Sequence, residues 1–166
     1  KLGLLIGGSG LVGGALLHYG KTRKPDTIEL LSPNSKKLAY IDGTNNISIL
    51  DVESKKVTVA GNTRWNVGHG GRFGYTIAWA PDSKWITFTE GLDNAINAVF
   101  IYDVENQKLH QATSGFYEDV SPIFSEDGKY LFYLTNRNLD AIYSDMGDDT
   151  WVYPNATQIA AISLTT

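Results

Sequence analysis

The chain of 166 residues contains no cysteine, which excludes disulfide bridges and thiolate metal sites. The compartment stays open, because a protein without cysteine is compatible with any redox environment. Basic residues are also few: 14 lysines and arginines stand against 18 acidic residues, and the formal net charge is -4. Their one cluster spans residues 21–24. Since binding to phosphates requires a positive field, we expect no nucleic-acid partner.

Helical periodicity is missing as well, because apolar residues beyond residue 20 do not recur at helical spacing. The composition is nevertheless that of a globular protein, with 42% hydrophobic and 19% charged residues, and the length allows a real core. In place of helices the sequence has short runs of β-branched and aromatic residues, which are typical of strands.

Three stretches repeat one pattern, a tight polar turn followed by such a run. They read SPNSKKLAY at 32–40, APDSKWITF at 80–88 and SEDGKYLFY at 125–133, and they begin 48 and 45 residues apart. The pattern predicts a hairpin between two strands, and a period of this length is typical of propeller blades. A second motif repeats in phase, since ILDVE at 49–53 returns as IYDVE at 101–105. We expect Asp51 and Asp103 in these motifs to cap turns with their carboxylates.

The strands are predicted at 28–31, 37–41, 47–51, 57–59, 75–79, 85–89, 99–103, 108–112, 122–124, 130–134 and 158–164. They fall into units at residues 27–61, 73–114 and 120–166, the last with a long insertion at 135–155 and without a fourth strand. The fold class is therefore all-β, a β-propeller fragment of about three four-stranded antiparallel blades. Propellers close with about four to eight blades, so we expect either a piece of a longer protein or open ends that meet another surface.

Aromatic side chains alternate along the predicted strands, as packing between blades requires. We expect most of them in the core and a few at a ligand channel. They are Trp79, Trp85, Phe88, Tyr102, Tyr130, Phe132 and Tyr133.

Residues 1–26 form a separate lead-in with a Gly-rich apolar segment at 2–20. One interpretation is a dinucleotide fingerprint, in which Gly7, Gly10 and Gly13 approach a pyrophosphate and Glu29 accepts the ribose hydrogen bond. The βαβ units that such a domain needs are missing. A second interpretation is a membrane anchor or signal-like segment, because its length is close to the roughly 20 residues that span a bilayer. A third is a glycine-rich strand and turn, or a segment foreign to the fold.

No catalytic, cofactor-binding or metal-binding residue is predicted. Ser9 lacks the final glycine of a nucleophile elbow, and the Gly-His-Gly-Gly run at 68–71 has no accompanying nucleophile. The histidines have no paired spacing, and the acidic insertion lacks the order of a calcium loop. These residues are His18, His69 and His110, and Asp140, Asp145, Asp148 and Asp149. Sequons at Asn46 and Asn155 matter only in a secreted eukaryotic protein.

The blade motifs resemble those of TolB-like and tricorn-type propellers. WAPDSKWI at 79–86 carries the general motif. The runs QATSGFYEDVSPIF at 111–124, GKYLFYLTNR at 128–137, Tyr143-Ser144-Asp145 and YPNATQI at 153–159 resemble the propeller of tricorn-type serine peptidases. The resemblance implies a propeller upstream of a PDZ-containing catalytic half, where it gates or guides peptides. No position matches the catalytic motifs of that half.

The resemblance gives the expected function: the propeller portion of a tricorn-like peptidase, a scaffold and peptide channel without its own catalytic centre. Its partners would be a peptide or protein substrate, the remaining blades and the catalytic half, with a homo-oligomer left open. The alternative is a stand-alone TolB-like propeller that binds a protein or a ligand, with a membrane tether through residues 2–20 as one form. For either function the location stays open between cytoplasm and periplasm. The third is an NAD(P)-binding protein of the Rossmann type, built on the fingerprint of Gly7, Gly10 and Gly13.

Overall fold

The structure, a computed structural model, describes residues 29–62, 76–137, 143–145, 150–152 and 157–164. Every strand pairing in these residues is antiparallel, and no helix occurs among them. None of their elements is therefore a helix long and apolar enough to cross a membrane. The predicted all-β class is confirmed. The Gly-rich segment at 2–20 and the connection at 63–75 lie outside the described residues, so the predicted unit boundaries remain predictions.

Two sheets have four strands that follow one another in chain order. The first contains β1 (Glu29–Leu31), β2 (Lys37–Ile41), β3 (Asn46–Asp51) and β4 (Val57–Asn62). The second contains β5 (Ile77–Trp79), β6 (Trp85–Gly91), β7 (Asn97–Asp103) and β8 (Lys108–Gln111). Their shared order and direction are those of successive propeller blades.

The third sheet has three strands in the order β13-β10-β9. They are β9 (Asp119–Phe124), β10 (Tyr130–Thr135) and β13 (Gln158–Ser163). The long insertion between β10 and β13 is not a plain loop, because it contains a separate hairpin of β11 (Tyr143–Asp145) and β12 (Thr150–Val152). The aromatic and β-branched residues of these short strands favour pairing.

The turn between the first two strands of each sheet has the same geometry three times. The side chain of its third residue accepts a hydrogen bond from the backbone N–H two positions later. The acceptors are Asn34 at 3.1 Å, Asp82 at 2.9 Å and Asp127 at 3.1 Å. Its fourth residue is left-handed, with φ of 60° at Ser35, 62° at Ser83 and 71° at Gly128. An Asx turn followed by a left-handed residue explains why the polar motif recurs in the sequence.

The hydrophobic core lies between sheets. One cluster joins the first and second sheets through residues such as Ile47, Ile49, Ile86 and Phe88, all 3% exposed or less. The other joins the second and third sheets. Its buried members are Ala80, Val99, Phe124, Leu131 and Tyr133. Each sheet therefore obtains its buried face from a neighbouring sheet, as blades do.

The predicted aromatic core is only partly present. Phe88, Tyr102 and Tyr133 are buried, and Trp79 and Trp85 are half-buried. Tyr130 and Phe132 are 44% and 36% exposed. They are exposed because they alternate with Leu131 and Tyr133 along β10 and lie on the face of the third sheet that points away from the second.

Phe88→Ala is expected to lower the free energy of unfolding by about 3–5 kcal/mol, because it removes a fully buried ring from the first junction. Phe116→Ala is the matched control, since that ring is 73% exposed, and its loss should stay below about 1 kcal/mol. Urea unfolding followed by circular dichroism measures both values. Equal losses in the two variants would contradict a core between the sheets.

Candidate functional site

The first strands of the three sheets lie side by side. The indole N–H of Trp79 on β5 donates a hydrogen bond to the carbonyl of Leu30 on β1 at 2.9 Å. On its other side β5 contacts β9. In a propeller the first strand of each blade is the innermost one. The edges of β1, β5 and β9 are therefore the candidate lining of an axial channel.

Polar groups connect the first and second sheets at both ends of their strands. At one end, the Ser83 hydroxyl accepts a hydrogen bond from the Asn34 N–H at 3.1 Å. At the other end, the Glu90 carboxylate accepts one from the Asn62 N–H. Gly61 lets these sheets approach closely, because a Cβ there would lie 2.8 Å from the Phe88 ring. The two sheets are thus fixed in register as well as packed.

Hydrogen bonds between the second and third sheets are made mainly by Glu118. Its carboxylate accepts hydrogen bonds from the backbone N–H of Asn97, at 3.0 Å, and from the side-chain amide of the same residue. Its own N–H donates to the side-chain oxygen of Asn136 at 3.0 Å. Asn94 adds a bond to the carbonyl of Gly115, whose φ is 71°. The segment before β9 is therefore held at the same end of the sheets as the turn between β6 and β7.

Arg137 forms a cluster with buried groups of the third sheet. Its guanidinium lies 3.5 Å from the carboxylate of Asp119, whose side chain is fully buried, and donates to the Tyr133 hydroxyl at 3.1 Å. It also stacks over the rings of Tyr117 and Tyr133, at 5.2 and 5.8 Å from their centroids. The cluster joins the start of β9 to the end of β10, so it orders the third sheet. No sequence motif indicates this cluster, because residues 18 apart carry no spacing signal.

Asp51 and Asp103 occupy the predicted capping positions. Lys37 donates to the Asp51 carboxylate at 2.8 Å, and Ser54 N–H donates at 2.9 Å. The bond from Lys37 is the main reason why the pKa of Asp51 lies well below its usual range. For Asp103, the bonds from the backbone and side chain of Asn106 lower the pKa. The predicted turn capping is confirmed at both positions.

Asp42 has the same role in the turn between β2 and β3. Burial alone would raise its pKa, but hydrogen bonds from Thr44 and Asn46 outweigh it and lower the pKa. The amide of Asn46, part of a predicted sequon, bonds to Thr44 at 2.8 Å and accepts from Asn62 at 2.8 Å. This asparagine therefore serves the turn in the folded chain.

The remaining candidates are not brought together. His110 lies on β8 with its ring 6.3 Å from that of Trp85. Asp145 lies on β11. Of the described residues, no three His, Asp or Glu side chains are placed to hold a metal ion. Glu29, weighed as a ribose acceptor, lies on β1. The other residues that were weighed lie outside the described residues: Gly7, Ser9, Gly10, Gly13, His18, His69, Asp140, Asp148, Asp149 and Asn155.

Among the described residues, a cavity lies at each junction between neighbouring sheets. The first, of about 410 Å³, lies between the first and second sheets. The second, of about 490 Å³, lies between the second and third sheets. Both open at the end of the sheets that carries the Asx turns, because Ser83 contributes to one and Gly128 to the other.

Comparison with known proteins agrees with this architecture. No family model matches the chain. The tricorn protease of Thermoplasma acidophilum is 30% identical over 113 residues, which cover 64% of this chain and 10% of that protein. The crystal structure of the tricorn protease has a TM-score of 0.68 at 24% identity, covering 82% of this chain and 13% of that chain. TolB from Acinetobacter baumannii has a TM-score of 0.51 at 18% identity, covering 81% and 35%.

The described strands thus have the propeller fold that the tricorn protease and TolB share. The chain spans about a tenth of the length of the curated relatives that it matches. The predicted resemblance is confirmed at the level of the propeller.

The lowered pKa values of the turn carboxylates predict how the stability of the fold changes with pH. The pKa values of Asp51 and Asp103 are lower in the folded chain than the ordinary 3.8, so the unfolded chain binds more protons in acid. Their stabilising contribution is therefore complete above about pH 4 and is lost as the pH falls through the folded pKa. Asp103→Asn should lower the urea midpoint at about pH 6 and should flatten its fall towards about pH 3.

Glu53→Gln is the control for this experiment, because it removes an exposed carboxylate from the equivalent turn of the first sheet. Its midpoint should follow that of the parent chain at every pH. A parent-like acid profile for Asp103→Asn would show that the capping bonds do not carry the pH dependence.

Proposed function

We propose that the chain is the propeller portion of a tricorn-like peptidase, acting as scaffold and peptide channel without its own catalytic centre. The observation that carries the proposal is the adjacency of β1, β5 and β9, joined by the bond from Trp79 to Leu30. Inner strands in this arrangement leave one edge free to line a passage. The relatives named as tricorn proteases supply the class of the parent protein.

The open face of the third sheet supports a larger propeller. Ile123, Tyr130 and Phe132 are 57%, 44% and 36% exposed on it. By strand register they correspond to Ala78, Trp85 and Thr87 of the second sheet. In that sheet Thr87 is fully buried and Trp85 packs against the third sheet. The exposed apolar face of the third sheet is therefore equivalent to the face by which the second sheet packs on the third, as expected if a further blade follows.

The edge of the third sheet supports the same proposal. In the first two sheets the third strand pairs with a fourth, β3 with β4 and β7 with β8. In the described part of the third sheet, β13 is the outer strand. A further strand from the parent chain would complete this blade and protect its edge. A stand-alone TolB-like binding module is the alternative, and it differs by needing no catalytic half.

The absence of cysteine allows a direct test of the channel. Ala78→Cys places a thiol on the innermost strand β5, and Lys108→Cys places the control thiol on the outer strand β8. Each variant is labelled with a photoreactive maleimide and is illuminated in the presence of an unstructured fluorescent decapeptide of Gly, Ser, Ala and Leu. We expect cross-linking from position 78 and little from position 108. Equal cross-linking, or none from either, would contradict a peptide channel.

The same decapeptide with a quencher tests the absence of a catalytic centre. We expect no hydrolysis by the chain alone, because the carboxylates to which Ser54 and Ser125 donate, Asp51 and Asp127, have lowered pKa values and are therefore weak bases. Turnover that disappears on mutation of a serine of this chain would refute the proposal. Hydrolysis by the parent protein, abolished by changes outside this chain, would support it over the binding-module alternative.

A further inference from the structure

The two junction cavities occupy equivalent places in successive blades. Strand register and turn geometry show that residues lining the first cavity have equivalents that line the second. The pairs, with the residue of the first cavity given first, are Lys37 and Trp85, Ile49 and Ile101, Thr58 and His110, Ser83 and Gly128, and Val104 and Leu164. For the last pair, the N–H of Val104 donates to Lys84 O at 2.9 Å and that of Leu164 to Lys129 O at 2.8 Å. The backbone frame is thus the same, and the side chains alone distinguish the cavities.

The side chains give the cavities different chemistry. The first cavity is lined by three lysines and two carboxylates: Lys37, which pairs with Asp51 at 2.8 Å, together with Lys56, Lys84 and Glu105. In the second cavity Trp85 and His110 replace Lys37 and Thr58, with their rings inclined by 51°. The two rings form an aromatic corner, in which the indole supplies an apolar face that attracts cations and the imidazole supplies a polar ring.

The second cavity also stays open where the first is bridged. The Ser83 hydroxyl accepts the Asn34 N–H and links the turns of the first two sheets. Gly128 at the equivalent position has no side chain, and the nearest atom to an added Cβ would be Pro81 Cδ at 4.0 Å. A molecule could therefore reach the aromatic corner from the turn side.

The rim of the second cavity is acidic. Asp82 and Asp127 line it. Asp127 is partly compensated by Lys129, whose Nζ lies 3.5 Å from its Oδ2. Asp82 Oδ1 accepts the Lys84 N–H at 2.9 Å, while no described side chain pairs with Oδ2. Lys84 itself contributes to the first cavity instead.

We propose that the second cavity is a binding site for an organic cation with an apolar body, held between the Trp85 face and the Asp82 carboxylate. The apolar part would contact Ile101, Phe124 and Leu164. The first cavity lacks the Trp85–His110 ring pair and has three lysines beside its two carboxylates, so we expect the ligand to bind in the second cavity only. A free amine and the lysine side chain of a peptide share this chemistry. The site lies outside the proposed channel and does not depend on it.

Three small molecules with the same phenylethyl body test the charge: phenethylammonium, 2-phenylethanol and 3-phenylpropanoate. Calorimetric titration of the chain should give the tightest binding for the cation, by about two- to fivefold over the alcohol, and weaker binding still for the anion. The shift of the Trp85 indole N–H signal, assigned by its loss in Trp85→Leu, locates the site. Equal affinities for the three, or no shift of this signal, would overturn the proposal.

Asp82→Asn separates charge from structure. The turn should survive, because Asn34 accepts the equivalent N–H of Lys36 at 3.1 Å in the first sheet. We expect the preference for the cation over the alcohol to fall, because the Trp85 face and Asp127 remain, while affinity for the alcohol is retained. Glu53→Gln is the control, since it removes one negative charge in the first sheet, away from the cavity. A preference unchanged in Asp82→Asn, or lost equally in Glu53→Gln, would contradict the assignment.

Two peptides identify the source of the cation. Acetyl-Gly-Lys-Gly amide and its norleucine analogue are compared as competitors of phenethylammonium. Competition by the lysine peptide alone supports a peptide side chain as the ligand. Phenethylammonium binding without competition by either supports a free amine. Equal competition by both peptides would remove the role of charge and with it the proposal.

Discussion

The packing of one sheet against the next is the constraint on which this structure depends. A four-stranded sheet pairs the backbone groups between its strands but leaves two apolar faces, and burial of apolar surface requires a second sheet on each. The core accordingly consists of two clusters, each shared between neighbouring sheets. Stability is therefore distributed over the junctions, and a change such as the loss of the Phe88 ring acts on two sheets at once.

Polar groups give these junctions their geometry. Ser83 and Glu90 hold the first junction at its two ends, while Glu118 holds the second at one end. Hydrogen bonds are directional, whereas apolar packing is not. These bonds therefore fix the distance between neighbouring sheets and the offset of one sheet along the strands of the next. This positioning brings the inner strands together and leaves a cavity at each junction. The proposed channel and the proposed cation site therefore both depend on the geometry of the junctions.

Repetition of the frame with divergence of the side chains explains how one fold can hold different sites. The Asx turns have nearly identical hydrogen bonds in the three sheets. Their neighbours differ, as Lys37 and Trp85 do at the same strand position. Because the backbone is held by the turn residues, the cavity-lining positions are free to change chemistry without changing the fold.

The sequence by itself determined the local structure. Its turn motifs predicted the hairpins, the β-branched runs predicted the strands from β2 to β10 to within a few residues, and Asp51 and Asp103 were identified as caps. Each of these features depends on neighbours a few positions away, which a linear pattern records. The exposed side of Tyr130 and Phe132, the Asp119–Arg137 cluster and the two cavities were decided only by the tertiary structure. They arise where residues distant in the chain meet across a junction, and no spacing in one sequence encodes which face of a strand will meet the next sheet.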